Sequence, residues 1–209
     1  MIKALLLLFR PVQTWNEIDR LARSIAFILF AHLLPLILLT SAVEGYGLMH
    51  WGKHQQSGVA YVKHYALGEV LVIETVQSLL LVGMVFLGAY AAKAFAGTFQ
   101  RRFTYRHAFA AVGFGCTPLI MLRFADVLTT PSPWIPWAVG MVLTIAVLYH
   151  GLPCILKPDP PHAFGLFFMT SLTLVVINGI LRLVTSFFFM GQFPGVESFI
   201  LRLTGAAPS

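Results

Sequence analysis

The sequence predicts an all-α membrane protein, a bundle of five transmembrane helices preceded by a short interfacial helix. Of its 209 residues, 58% are hydrophobic and 11% are charged, against roughly 45–50% and about 25% in soluble globular domains. Such a chain carries too few charges to cover a water-exposed surface. Its apolar residues form long continuous runs, not the alternating pattern of membrane strands. Five runs reach the roughly 20 residues a helix needs to cross a bilayer core of about 30 Å. Helices also satisfy their own backbone groups, as lipid demands.

The N-terminal Lys3 is followed by a short apolar stretch, Ala4 to Phe9, and then Arg10-Pro11. That stretch is too short for a signal sequence and lacks a small-residue cleavage site, so it is expected to stay in the mature chain. Thr14 and Glu17 then have the spacing of a helix capping box. Trp15, Ile18, Ala22 and Ile25 recur at helical spacing, with Asn16, Asp19 and Arg20 on other faces. This reads as an interfacial helix.

The spans are expected at 23–41, 69–96, 107–128, 134–156 and 163–190, within one membrane domain over 1–209. Pro35, Pro118 and Pro153 lie within spans or near their ends, where a missing donor kinks or ends a helix.

Basic residues set the orientation. Lys3, Arg10, Arg20 and Arg23 precede span one, Lys93, Arg101, Arg102 and Arg106 flank the second loop, and Lys157 lies in the fourth. Lys53, Lys63 and Arg202 fall on the other side, with Arg123 near the end of span three. This bias puts the N-terminus inside and the C-terminus outside. Trp51, Trp134 and Trp137 are expected at the outer interface and Trp15 at the inner one.

The net charge of +6 is dispersed in short clusters, which suits anionic lipid headgroups rather than nucleic acid. Arg101, Arg102, Phe103, Tyr105 and Arg106 are read in the same way. Cys116 and Cys154 lie at different depths, and no disulfide is expected.

Several segments in order resemble the Yip (Ypt-interacting protein) membrane-domain family. Phe9-Arg10-Pro11 with Thr14-Trp15 and Ile18 is similar to its opening motif. Ala108 to Phe114 with Thr117-Pro118-Leu119 is similar to its third span, and Tyr149-His150-Gly151-Leu152-Pro153 resembles the Tyr-x-Gly-x-Pro element of its fourth. The resemblance covers roughly Phe9 to Met190. It implies a five-helix bundle with no known catalytic residue, and family-like positions at Pro11, Trp15, Thr117, Pro118, Tyr149, Gly151 and Pro153. Eukaryotic members are linked to Rab-type GTPases and vesicle traffic, but their Asp-Leu-Tyr-Gly-Pro signature is absent near the first span here. The compact length resembles bacterial inner-membrane members.

Ionisable residues inside spans are the natural candidates for function, because lipid makes them costly unless paired or hydrated. Glu74, Arg123, Asp126 and Arg182 fall at similar depth near the outer side. They are read either as a polar cluster around a headgroup or solute cavity, with Glu74 paired to Arg182 or Arg123, or as snorkelling arginines beside one packing salt bridge. The second reading is favoured. Gln77 and Asn178 are expected to bond between helices, and Gly83, Gly88, Gly113 and Gly115 to allow close backbone approach. His32, one turn from Pro35, reads as a packing residue, and His150 as facing headgroups.

The first loop, 42–68, contains His50, His54 and His64, a spacing open to metal ligation. No carboxylate or cysteine motif accompanies them, so a solvated loop is expected and no metal or cofactor is assigned. No Ser–His–Asp set, nucleotide loop or paired intramembrane aspartates is present. The sequence therefore predicts a non-enzymatic membrane-organising or protein-interaction scaffold that contacts lipids and other membrane proteins. Its rival is a small transporter or channel component using the Glu/Arg cluster.

Overall fold

The computed structural model describes residues 11–21, 23–57, 59–98, 104–127 and 134–204. Among them, five helical segments are long and apolar enough to cross a membrane.

Helix α1 (Pro11–Leu21) is amphipathic. Pro11 opens it, where a missing backbone donor is harmless, so Thr14 lies inside the helix and not at the expected cap. Its apolar face is turned inward, with Trp15 and Ile18 buried in the core. Trp15, expected to mark the inner interface, has its whole indole buried in the bundle.

Span one combines α2 (Ile25–Ile28), a π-helical turn (Leu29–Leu33) and α3 (Leu34–His50). Ser24 caps α2 by accepting from the Phe27 amide at 3.2 Å. The π turn precedes Pro35, which has no N–H to continue the regular ladder. This span runs to His50, nine residues past the expected end at Ser41. Apolar residues continue through Met49, and Glu44, which falls within the expected loop, is buried in the bundle.

The first loop is consequently shorter than expected, and its middle is a hairpin of β1 (Lys53–Ser57) and β2 (Val59–Lys63), paired from Lys53↔Lys63 to Ser57↔Val59. Gly52, with φ of 66°, turns the chain from α3 into β1 in a conformation that a side chain would strain.

Span two is α4 (Leu67–Thr98). Span three joins α5 (Tyr105–Gly115), α6 (Thr117–Leu122) and a 3₁₀ turn (Arg123–Val127), with its break at Cys116 just ahead of Pro118. Span four is α7 (Trp134–Leu156), containing Pro153 near its end, and span five is α8 (Pro160–Phe189). A further helix, α9 (Pro194–Thr204), was not expected from the sequence. It buries Ile200, leaves Phe199 and Leu203 exposed, and rests on the start of α4 at Gly68. At 11 residues it is too short to cross a bilayer.

Span three is the centre of the bundle. In its most apolar stretch 72% of residues are buried, against 28% in spans two and five. Its composition explains this: Ala108, Ala111, Gly113, Gly115 and Cys116 let neighbouring backbones come close. A Cβ on Gly115 would collide with Leu148 of α7, and one on Gly88 of α4 with Leu174 of α8. Gly113 sits at ordinary contact distance, whereas Gly83 has nothing within 4 Å and faces open space. The close approach expected at Gly83 is therefore absent.

Connectivity gives the bundle two ends. The end carrying α1, Arg23, Arg106 and Lys157 is called proximal here, and the end carrying the hairpin and α9 distal.

Candidate functional site

The polar cluster lies toward the distal end and is built around the 3₁₀ turn that closes span three. In such a turn residues three apart eclipse one another, so Arg123 and Asp126 project on one side.

Arg123 Nη2 donates to Glu44 Oε2 at 2.7 Å, to Gln77 Oε1 at 2.8 Å and to Glu74 Oε2 at 3.2 Å. That nitrogen carries two hydrogens and faces three acceptors, so Glu74, the most distant, is held least tightly. Arg123 Nη1 donates to Ser41 Oγ at 3.4 Å, and Ser41 shares a 3.0 Å hydrogen bond with Ser78. Helical spacing explains the assembly: Ser41 and Glu44 on α3, and Glu74, Gln77 and Ser78 on α4, lie on single faces at i, i+3 and i+4. One guanidinium thereby joins spans one, two and three.

Asp126 and Arg182 form the second half. Arg182 Nη1 and Nη2 donate to the two Asp126 oxygens at 2.9 and 2.6 Å, a bidentate pair tying span three to span five. All these side chains are shielded: 2% exposed for Glu44, 4% for Asp126 and 10% for Arg123. At the distal rim Lys53 Nζ lies 3.9 Å from Glu44 Oε1 and 4.0 Å above the Phe189 ring.

The structure thus brings Glu74 to Arg123 and gives Arg182 to Asp126, so the Glu74–Arg182 alternative drops out. Sequence reasoning missed Glu44, which had been assigned to the loop. Its spacing from Ser41 and the apolar residues continuing to Met49 were the signals that could have found it.

Beside the cluster is a cavity of about 70 Å³ between α4, span three, α7 and α8, reached by Gln77, Arg123, Asp126, Trp137, Asn178 and Arg182. Two of these lining residues carry buried donors without hydrogen-bond partners, Gln77 Nε2 and Trp137 Nε1. Asn178 Nδ2 points instead to Met84 Sδ and, at 3.3 Å, to Leu174 O.

The family-like residues sit elsewhere, chiefly in packing roles toward the proximal end. Trp15 lies on Gly151, where a Cβ would overlap the indole ring. Thr117 Oγ1 is 3.0 Å from His32 Nε2, and the His32 ring lies 4.4 Å from Phe114. Pro118 restarts the helix of span three, and Pro153 precedes the end of α7. That end passes through Lys157 at φ 39°. Tyr149 is exposed on the outer surface against Phe167. Pro11 opens α1.

Near the ends, Lys157 Nζ donates to Asp19 Oδ2 at 2.7 Å and Arg106 Nε to Arg23 O at 3.0 Å. The hydrogen bond to Asp19 raises Lys157 above the ordinary lysine range. His50 and His64 bond the carbonyls of Tyr46 and Met49, the His54 side chain lies outside the described ones, and no metal-ligand cluster occurs among the described residues. Cys116 and Cys154 are both free thiols. Arg101, Arg102 and Phe103 lie outside the described residues, as do Lys3, Phe9 and Arg10.

Compared with known proteins, residues 5–181 match the family model of the Yip1 domain. No curated protein and no solved structure matches the chain.

Proposed function

This chain belongs to the Yip1-domain family, and from that premise we propose that it is a non-enzymatic scaffold organising the bilayer and neighbouring membrane proteins. It is a multi-pass integral membrane protein with five apolar helices. The observation that carries the reading is the arginine-centred clamp. Charges buried in the spans are engaged with one another, which serves a bundle that holds its shape.

Its working surface is the proximal end. There α1 buries Trp15 and Ile18 and turns Gln13, Asn16 and Arg20 outward, beside Arg23 and Arg106. The basic count favours this end on the cytoplasmic side and the C-terminus outside, with anionic headgroups as contacts, while the resemblance to compact bacterial family members suggests a bacterial inner membrane as host. Cysteines introduced at Gln13 and His64 test the orientation. A membrane-impermeant maleimide added to intact cells should label His64→Cys and spare Gln13→Cys; the reverse pattern inverts the topology.

The cavity beside Arg123, Asp126 and Arg182 favours a second reading, a small transporter or channel component. Liposome flux separates the two. The scaffold predicts no ion or solute movement above protein-free vesicles, and flux abolished by Glu74→Gln would replace it with transport.

A further inference from the structure

We propose that the cavity between α4, span three, α7 and α8 binds an oxyanion, the phosphate of a lipid headgroup or free phosphate, through the N–H donors of Gln77 and Trp137 beside Arg123 and Arg182. The inference goes beyond a scaffold, because it assigns a ligand to a space that a purely structural clamp does not need.

The hydrogen-bond inventory points one way. Both Asp126 oxygens are taken by Arg182, and Gln77 Oε1 is taken by Arg123. The groups without partners among these lining residues, Gln77 Nε2 and Trp137 Nε1, are both donors. Buried donors without acceptors carry a standing penalty, which a ligand rich in acceptor oxygens relieves.

Charge agrees. The ionisable residues lining the cavity, Arg123, Asp126 and Arg182, sum to one positive charge. Glu44 and Glu74 approach Arg123 from other helices, and Lys53 stands beside Glu44. These six side chains balance, so the cavity side presents the positive face of a neutral cluster, and an oxyanion there gains charge-assisted hydrogen bonds.

Size and walls agree as well. About 70 Å³ is several times the ~10–15 Å³ that one water requires. Much of the remaining lining is leucine, including the part-exposed Leu80, which suits a headgroup arriving with its acyl chain from the lipid side.

The test uses the purified full-length chain in detergent and native mass spectrometry. The probes are phosphatidylglycerol, diacylglycerol with the same chains, and inorganic phosphate. Trp137→Phe keeps an aromatic ring and removes the N–H. Gln77→Glu keeps the shape and replaces the donor with an acceptor. Because neither donor bonds to protein, Trp137→Phe breaks no internal hydrogen bond and should stay folded, losing only the packing of the smaller ring against its neighbours. A phosphate held by charged hydrogen bonds should be retained about tenfold or more over diacylglycerol, and each variant should lose most of that preference. Displacement of phosphatidylglycerol by inorganic phosphate, or binding of phosphate alone, would identify the free ion as a ligand of the same site. This arm needs no variant and decides the matter should one fail to fold. Equal retention of the two lipids with no phosphate binding overturns the proposal. So does a preference for phosphatidylglycerol that Trp137→Phe leaves intact, which would trace to the basic proximal surface.

Discussion

Replacing Gly151 with alanine should loosen the proximal end of the bundle, and the structure sets the size of the effect. Two terms compete. Removing a glycine from a helix interior is worth roughly 0.5–1 kcal/mol in favour of alanine. Against it, the new methyl would fall on the benzo edge of the Trp15 indole, at Cε2, Cζ2 and Cη2. Those atoms belong to a rigid ring that is fully buried, so α1 or α7 must move. Overpacking of this kind costs about 1–3 kcal/mol, and outright expulsion of Trp15 would approach the ~3–5 kcal/mol of a tryptophan truncation. The net expectation is a loss of about 1–2 kcal/mol. Reversible unfolding in mixed micelles, followed by circular dichroism, measures it. Gly83→Ala is the internal control: with nothing within 4 Å, only the helix-propensity term remains, and that variant should match or exceed wild type. Trp15→Phe/Gly151→Ala should lose less than the sum of its single changes, because phenylalanine lacks the offending edge. If Gly151→Ala proves as stable as Gly83→Ala, the packing of α1 on α7 described here is wrong.

Asp126→Ala leaves Arg182 without its bidentate acceptor in a shielded site and should destabilise by about 3–5 kcal/mol; the same unfolding assay should show Asp126→Leu/Arg182→Met recovering much of the loss. Thr117→Val removes the hydroxyl facing His32 and should cost roughly 0.5–1.5 kcal/mol, with no difference seen if that hydrogen bond does not form. Lys157 has its pKa raised, mainly by the hydrogen bond to Asp19, from an ordinary 10.5. Its contribution is therefore complete below that value and lost as pH rises through the folded-state value. Wild type and Lys157→Ala should accordingly keep a constant, small difference between about pH 6 and 9; a difference that drifts across that range would contradict the assignment.

What the sequence made legible follows from the range of each interaction. The spans were readable because crossing a bilayer is a local requirement on consecutive residues. The inward face of α1 was readable for the same reason, since Trp15 and Ile18 fall at helical spacing. Their target was not, because Gly151 lies in a different helix and nothing local separates a glycine under an indole from one facing open space, as at Gly83. Depth matching grouped Glu74, Arg123, Asp126 and Arg182 but could not choose partners, which depend on the lateral order of helices. Glu44 was misplaced because a carboxylate lowers hydropathy whether water or an arginine stabilises it. The hairpin and α9 escaped notice because five-residue strands and a narrow amphipathic stripe leave weak periodic signals.

The central claim is that a guanidinium on span three holds carboxylates from spans one and two, and a double-mutant cycle on Glu44→Gln and Arg123→Gln tests it most directly. Because the pair is charge-assisted, 2.7 Å long and shielded, its coupling should reach about 1–3 kcal/mol. That exceeds the average of about 0.6 kcal/mol for neutral contacts between membrane helices. Changes that add within about 0.3–0.5 kcal/mol would mean the two side chains do not meet, and the clamp would have to be abandoned.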